Sequence, residues 1–215
     1  MIILTAGHTG AGSGAQCATT QFDEGAETIW LRDRIAEILT NKYGLVVLID
    51  NDTASLQLLI QSINDATTIF PEKQCVPDAP DERSGPQSKT SEASPTVDCR
   101  LLSVDDIVID IHFNAHTNPN ARGTETIVAD DATHFELRMA SRLAHATADS
   151  LEIPLRCIKS ESQTPHKRLA MLHLTPQSVI LEVCFITSPE DVKQYRRHRR
   201  KIASTIAKNI ANLVK

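Results

Sequence analysis

Between Ile2 and Gly14 the chain passes from a run of branched apolar residues, Ile2-Ile3-Leu4, into a loop carrying Gly7, Gly10, Gly12 and Gly14. The run has the β-branched, continuously apolar character of a strand buried on both faces of a sheet. The glycines end it abruptly, and His8 stands at the exit. In open α/β sheets ligands bind at the carboxyl ends of the strands, so an imidazole at this point is held by a rigid scaffold yet remains reachable. Taken by itself His8 also reads as an ordinary polar loop residue.

A helix follows from Glu24 to Lys42, with Ile29, Leu31, Ile35, Ile38 and Leu39 gathered mostly on one side. Asp23 is its expected N-cap, and Gly44 the expected glycine just past its end. Leu45 to Ile49 reads as a second, fully buried strand. Strand, helix and strand within about fifty residues make a right-handed βαβ unit. Thr53 to Ile69 reads as a further helix. From Pro71 to Asp98 the composition changes: Pro71, Pro77, Pro80, Pro86 and Pro95 lie among Ser, Glu, Asp and Lys. Such a segment buries too little apolar surface to offset its ordering entropy. It reads as a long loop inserted into one domain, because the sheet pattern resumes after it.

Asp105 to Ile111 is the next expected strand and delivers His112 at its end. Gly123 to Ala129 is another. Thr133 to Ser150 reads as a helix with a capping box formed by Thr133 and Glu136. Arg156 to His173 is expected to hold one or two short strands, Leu169 to Leu172 the clearer. Ser178 to Val183 is the last central strand. Ser188-Pro189-Glu190-Asp191 then opens a terminal helix whose buried stripe is Val192, Tyr195, Ile202, Ile206, Ile210 and Leu213. Arg196, Arg197, Arg199, Arg200 and Lys201 read as its solvated face, contact with an anionic polymer being the rarer alternative.

The 215 residues fit a single domain, residues 1–215, better than two small ones. A net charge of −5 and only eight aromatic residues argue against nucleic-acid binding. No apolar run is long enough to span a membrane. The N-terminus lacks a basic region followed by a long apolar stretch. That is expected for a chain that is cytoplasmic before release, is exported by an unusual route, or has lost its leader. The five cysteines form no C-x-x-C pair. Cys17, Cys157 and Cys184 are expected to be small buried or half-buried thiols; Cys75 and Cys99 flank the insert and are either free or joined as a disulfide.

His8, Glu24 and His112 are expected to meet at one edge of such a sheet. Two histidines and a carboxylate form a known catalytic zinc set with a fourth position open for water or substrate. Glu182 lies inside the apolar run Val179 to Val183, where a carboxylate is costly unless paired or used, and is the candidate general base. Glu27, one helical turn beyond Glu24, is a rival ligand. Asn114 is either a substrate contact or a turn-forming residue, and Glu125 either enters the cleft or faces solvent. His116, His134, His145, His166, His173 and His198 read as surface or satisfied histidines.

Gly7-His8-Thr9-Gly10 with Gly14-Ala15 resembles the opening motif of the zinc-dependent N-acetylmuramoyl-L-alanine amidases of the Amidase_3 type. The apolar offsets after Glu24 match that family's first helix. Asp110 to Ala115 is similar to its S-I-H-x-N-A, Gly123-Thr124-Glu125 to its G-x-E strand, and Leu181 to Ser188 to its L-x-E-x-G-F-I-x-N. The resemblance spans nearly the whole chain apart from the insert. It implies an α/β fold, phosphorylase/hydrolase-like, with a mixed, mainly parallel central sheet and helices on both faces. It also implies one zinc per chain held by His8, Glu24 and His112, with Glu182 as the catalytic glutamate. The implied reaction hydrolyses the amide between N-acetylmuramic acid and L-alanine in peptidoglycan, in the manner of a phage lysin or a bacterial autolysin. A zinc peptidase acting on stem peptides, or an inactive wall-binding module, are the alternatives. The chain departs from the family pattern at Asp110, where Ser is usual, at Cys184, where Gly is usual, and at Asp50-Asn51-Asp52, where arginines are common. Asp110 either backs His112 or faces elsewhere.

Overall fold

The computed structural model describes residues 1–8, 14–50, 105–118, 120–174 and 176–215. The expected helix at 53–69, the insert at 71–98 and the Cys75–Cys99 pair lie outside them. Strand β1 (Ile2–Ala6) is flanked on one side by β4 (Val47–Ile49) and on the other by β5 (Ile107–Asn114), both parallel to it. Then come β8 (Gln177–Phe185), parallel to β5, and β6 (Thr124–Val128), which runs antiparallel to β8. Strand β7 (Leu155–Ser160) closes the order β4-β1-β5-β8-β6-β7, and a small hairpin pairs β2 (Gln16–Cys17) with β3 (Phe22–Asp23). The sheet is therefore mixed and mainly parallel, as the motifs imply.

Three helices, α1 (Glu24–Tyr43), α2 (His134–Leu151) and α3 (Pro189–Leu213), pack together against one face. Their boundaries follow the caps in the sequence. Asp23 accepts the N–H of Ala26 at 3.1 Å, Thr133 and Glu136 form the reciprocal capping box, and Ser188 accepts the N–H of Asp191. Gly44, in the left-handed region, ends α1. Ile2, Leu4, Ile107, Ile109, Ile111, Leu181 and Val183 face these helices as one continuous apolar core. On the opposite face two smaller clusters form around Ile3 and Val108 and around Ile127 and Ile180, covered by Met171, Leu172 and Leu174.

Several expectations change. Leu45 to Ile49 is not a fully buried strand: β4 is the outermost strand of the described sheet, and Ile49 is 48% exposed. Leu169 to Leu172 is not a strand, because Ala170–His173 forms a 3-10 helix. Met171 and Leu172 are adjacent and both face the sheet, whereas a strand would send them to opposite sides. The strand of this region is β7 instead. His112 lies within β5, which continues to Asn114. Cys17 is half-buried and Cys184 buried as expected, but Cys157 is exposed, on edge strand β7. Arg196 donates to the carbonyls of Thr20 and Gln21, and Arg199 stacks over Trp30 at 4.3 Å, so neither merely faces water. Among the described residues no helix is long and apolar enough to cross a membrane.

Candidate active site

Strand alternation divides β5 into two sets. Ile107, Ile109, Ile111 and Phe113 go to the helix side. Asp110, His112 and Asn114 consequently point to the opposite face, at the carboxyl end of the parallel strands. His8 leaves β1 at the same edge, and α1 begins beside it with Glu24.

Glu24 is buried and held at both oxygens. The N–H of Ala15 donates to Oε2 at 2.8 Å and that of Phe113 to Oε1 at 3.0 Å. Its Oε1 lies 3.8 Å from His8 Nε2 and 3.5 Å from His112 Nδ1. The two imidazoles stand edge to face, with ring centroids 5.2 Å apart. One potential ligand atom from each of His8, Glu24 and His112 falls within 4.8 Å of the others, so the sequence-predicted trio is brought together. Two glycines allow this approach. A Cβ on Gly7 would come within 2.1 Å of the His112 ring, and one on Gly14 within 2.6 Å of His8 and 2.8 Å of Glu24 Oε2.

Behind the trio, Asp110 Oδ2 lies 3.0 Å from His112 Nε2, while its Oδ1 accepts the Thr5 hydroxyl at 2.6 Å. Asp110 therefore backs His112 rather than facing elsewhere. Burial disfavours ionisation of Glu24, but His112 and the two backbone N–H groups outweigh it, and its pKa falls below the ordinary value. Asp110 follows the same balance: burial raises its pKa, and His112 and Thr5 bring it below normal. Burial would lower the pKa of His112, yet Asp110, Glu24 and Glu182 together hold it well above the usual imidazole value. Three carboxylates thus converge on one imidazole, a field that draws positive charge into the site. With nitrogen and oxygen ligands in a rigid, partly buried cradle, the residues fit a divalent cation such as zinc.

Glu182 lies on β8 directly across from His112, and on its other side pairs in register with Glu125 of β6. Its Oε2 is buried without a hydrogen-bond partner among the described residues. Burial, reinforced by the charges of Glu24, Glu125 and Asp110 and opposed by His112, pushes its pKa up to about 7. A carboxyl poised there can both take and give a proton near neutrality.

Glu125 behaves differently although it is the cross-strand neighbour. It is buried, neither facing solvent nor free in the cleft, and its oxygens are occupied. Oε1 accepts Asn114 Nδ2 and Lys159 Nζ, each at 2.7 Å, and Oε2 accepts Arg156 Nε at 2.9 Å. Asn114 therefore supports Glu125 rather than forming a turn. Lys159 and Arg156 were not singled out from the sequence; the available signal was that an acid within an apolar strand requires a cation. The rivalry at α1 is also resolved. Glu27 accepts the Tyr195 hydroxyl at 3.0 Å and faces α3, leaving Glu24 with the histidines. Among the described residues, no other histidine belongs to a cluster of this kind.

Fold and site together define an α/β protein whose strand-end cluster of two histidines and a glutamate can hold a metal ion beside a poised carboxyl. Residues 2–212 match the model of the N-acetylmuramoyl-L-alanine amidase family Amidase_3, and the chain belongs to that family. Among solved structures it is similar to an N-acetylmuramoyl-L-alanine amidase from Clostridium difficile 630 (TM-score 0.67, 17% identity, 99% of this chain and 93% of that one). It is also similar to an N-acetylmuramyl-L-alanine amidase from Mycobacterium smegmatis (0.64, 16%, 99% and 95%). The catalytic domain of an endolysin targeting Clostridia difficile is comparable (0.64, 18%, 98% and 96%). At these identities the likeness is one of fold. No curated protein sequence matches the chain.

Proposed function

We propose that this protein is a zinc-dependent hydrolase that cuts the amide between N-acetylmuramic acid and L-alanine, and so acts on the cell wall. The observation that carries this reading is the placement of the half-buried Glu182, whose Oε2 is buried without a hydrogen-bond partner, across one strand pair from the His8–Glu24–His112 cluster. Family membership supports the choice of amide.

His8, Glu24 and His112 would hold one zinc ion. When bound, zinc supplies Lewis acidity, making an attacking water more acidic and stabilising negative charge on the amide oxygen. The protein's own groups do the rest. Asp110, accepting from Nε2 of His112, selects the tautomer whose Nδ1 is the ligand atom. The N–H groups of Ala15 and Phe113 keep Glu24 ionised and fixed in orientation. Glu182 in its carboxylate form takes a proton from the attacking water. It then returns that proton to the nitrogen of alanine as the C–N bond breaks, which releases a neutral amine and regenerates the carboxylate. Its pKa near 7 suits both transfers.

The test is metal analysis combined with muropeptide digestion, on the wild type and on Glu182→Ala. The expected result is about one zinc per chain in both proteins, with stem peptides starting at L-alanine released only by the wild type. Fragments whose masses place the cut within the stem peptide would instead make it a peptidase. A protein that takes up no metal after reconstitution would overturn the ligand assignment.

A further inference from the structure

Helix α3 carries a feature that catalysis does not use. From Val192 to Lys215 the sequence contains no Asp or Glu, in a chain whose net charge is −5. Lys193, Arg196, Arg197, Arg200, Lys201 and Lys208 are all exposed. At 100° per residue, Lys193, Arg197, Arg200 and Lys208 fall along one line of the helix, with Arg196 and Lys201 at its margins. That line lies roughly opposite Tyr195, Ile202, Ile206 and Ile210, and toward the C-terminus the buried Ala207 and Ala211 interrupt it. The cations extend over about 22 Å at 1.5 Å per residue. None of these four central residues forms an ion pair among the described residues, whereas Arg199 is occupied by Trp30 and Glu27.

The shape of the basic surface selects its partner. It is only one helix wide, because acids lie along both sides. Glu27 of α1 reaches Arg199, and Glu152 at the end of α2 lies 3.9 Å from His198. On the α2 side Asp149 continues this border beside Thr205 and Asn209, next to the single cation Arg142. A flat anionic leaflet would press these acids against its headgroups, whereas a linear chain of phosphates can follow the stripe and avoid them. For stacking bases the stripe has little to offer: Tyr195 is buried, and the half-buried Trp30 of α1 beside it is covered by the Arg199 guanidinium. It also lies on the helix face of the sheet, away from His112 and Glu182. It therefore cannot grip the strand being cut.

We infer that α3 is a docking surface for a linear phosphodiester polyanion, a polyol-phosphate polymer, which holds the protein while the opposite face remains open to substrate. Binding is electrostatic, with release of counterions from the polymer.

The experiment measures binding of the intact protein to poly(glycerol phosphate) as a function of salt, independently of any catalytic activity. The variant replaces Lys193, Arg197, Arg200 and Lys208 by Gln, all exposed positions away from the site. Wild type should bind with a steep salt dependence. The variant should bind about a hundredfold or more weakly at low salt, taking roughly fivefold for each cation near an anionic surface. Its circular dichroism and its turnover of soluble muropeptides should be unchanged. A variant that binds as well as wild type, or a wild type that does not bind at low salt, overturns the inference. So does tighter binding to phosphatidylglycerol vesicles or to single-stranded DNA than to the polymer.

Discussion

The two faces of the central sheet are made by alternate residues of the same strands, yet they obey different rules. On the helix side Ile107, Ile109, Ile111, Leu181 and Val183 form one apolar layer from end to end. On the other side the apolar character stops halfway: Ile3, Val108 and Ile180 are followed toward the carboxyl edge by Thr5, Asp110, His112 and Glu182. The first face makes the fold and the upper half of the second makes the site. On that upper half each acid needs its own account. Asp110 has His112 and Thr5, Glu125 has two cations and an amide, and Glu182 has an oxygen with no partner. Burial works against the charge of Asp110, but His112 and Thr5 hold its pKa below the ordinary value, while that of Glu182 is pushed up to about 7. Adjacent strand positions thus separate an ion-paired carboxylate from one with an unpartnered buried oxygen.

Removing the metal should have the largest effect. Chelation, or Glu24→Ala, is expected to reduce turnover to background and, for the chelated protein, zinc should restore it; metal analysis alongside the rate checks this. Glu182→Gln should lower kcat by about 10²–10⁴ while leaving zinc content and thermal midpoint close to wild type, as expected for loss of proton transfer. A loss of zinc in that variant would mean that Glu182 belongs to the ligand set.

On the helix face the expectation reverses. Ile109→Ala should destabilise by about 2–5 kcal/mol in denaturant unfolding, with kcat per folded molecule nearly unchanged. Glu125→Gln should be milder, about 1–3 kcal/mol, because Arg156 and Lys159 can turn partly back to water. Normal unfolding free energy in that variant would show that the Glu125 network is dispensable.

The smallest effect is a pH dependence of the metal-free protein. Glu182 has a folded pKa of about 7, above the ordinary carboxylate value. Folding therefore favours its protonated form, and its contribution favours the folded state at low pH. That contribution is lost as pH rises from the ordinary carboxylate range through about 7. Glu182→Gln should flatten this part of the stability profile, measured as urea midpoints across that window. A profile parallel to wild type would contradict the raised pKa.

Much of the architecture was legible because it is written in local signals. The Asp23, Thr133 and Ser188 caps, the Gly44 stop and the apolar periodicities all act within a dozen residues. Within the candidate site, His8 and Glu24 could be named because they stand beside a strand or helix terminus, Glu182 because an acid interrupts an apolar run, and His112 because it follows an apolar strand core, although β5 continues past it to Asn114. The Leu169 to Leu172 segment was misread because a four-residue apolar run does not reveal whether its residues share a face.

What the chain by itself determined is most of the described strands and helices, their caps, and the residue types gathered for chemistry. Tertiary structure alone decided which of two acids on α1 meets the histidines, since Glu27 is claimed by Tyr195 from the far end of the chain. It alone made Asp110 the support of His112 and the partner of Thr5, which is 105 residues away in sequence. It also decided that Glu125 is neutralised by β7 while Glu182 is not. The physical reason is that a buried charge is governed by what lies within a few ångströms of it, and those neighbours come from strands that only the folded sheet sets side by side.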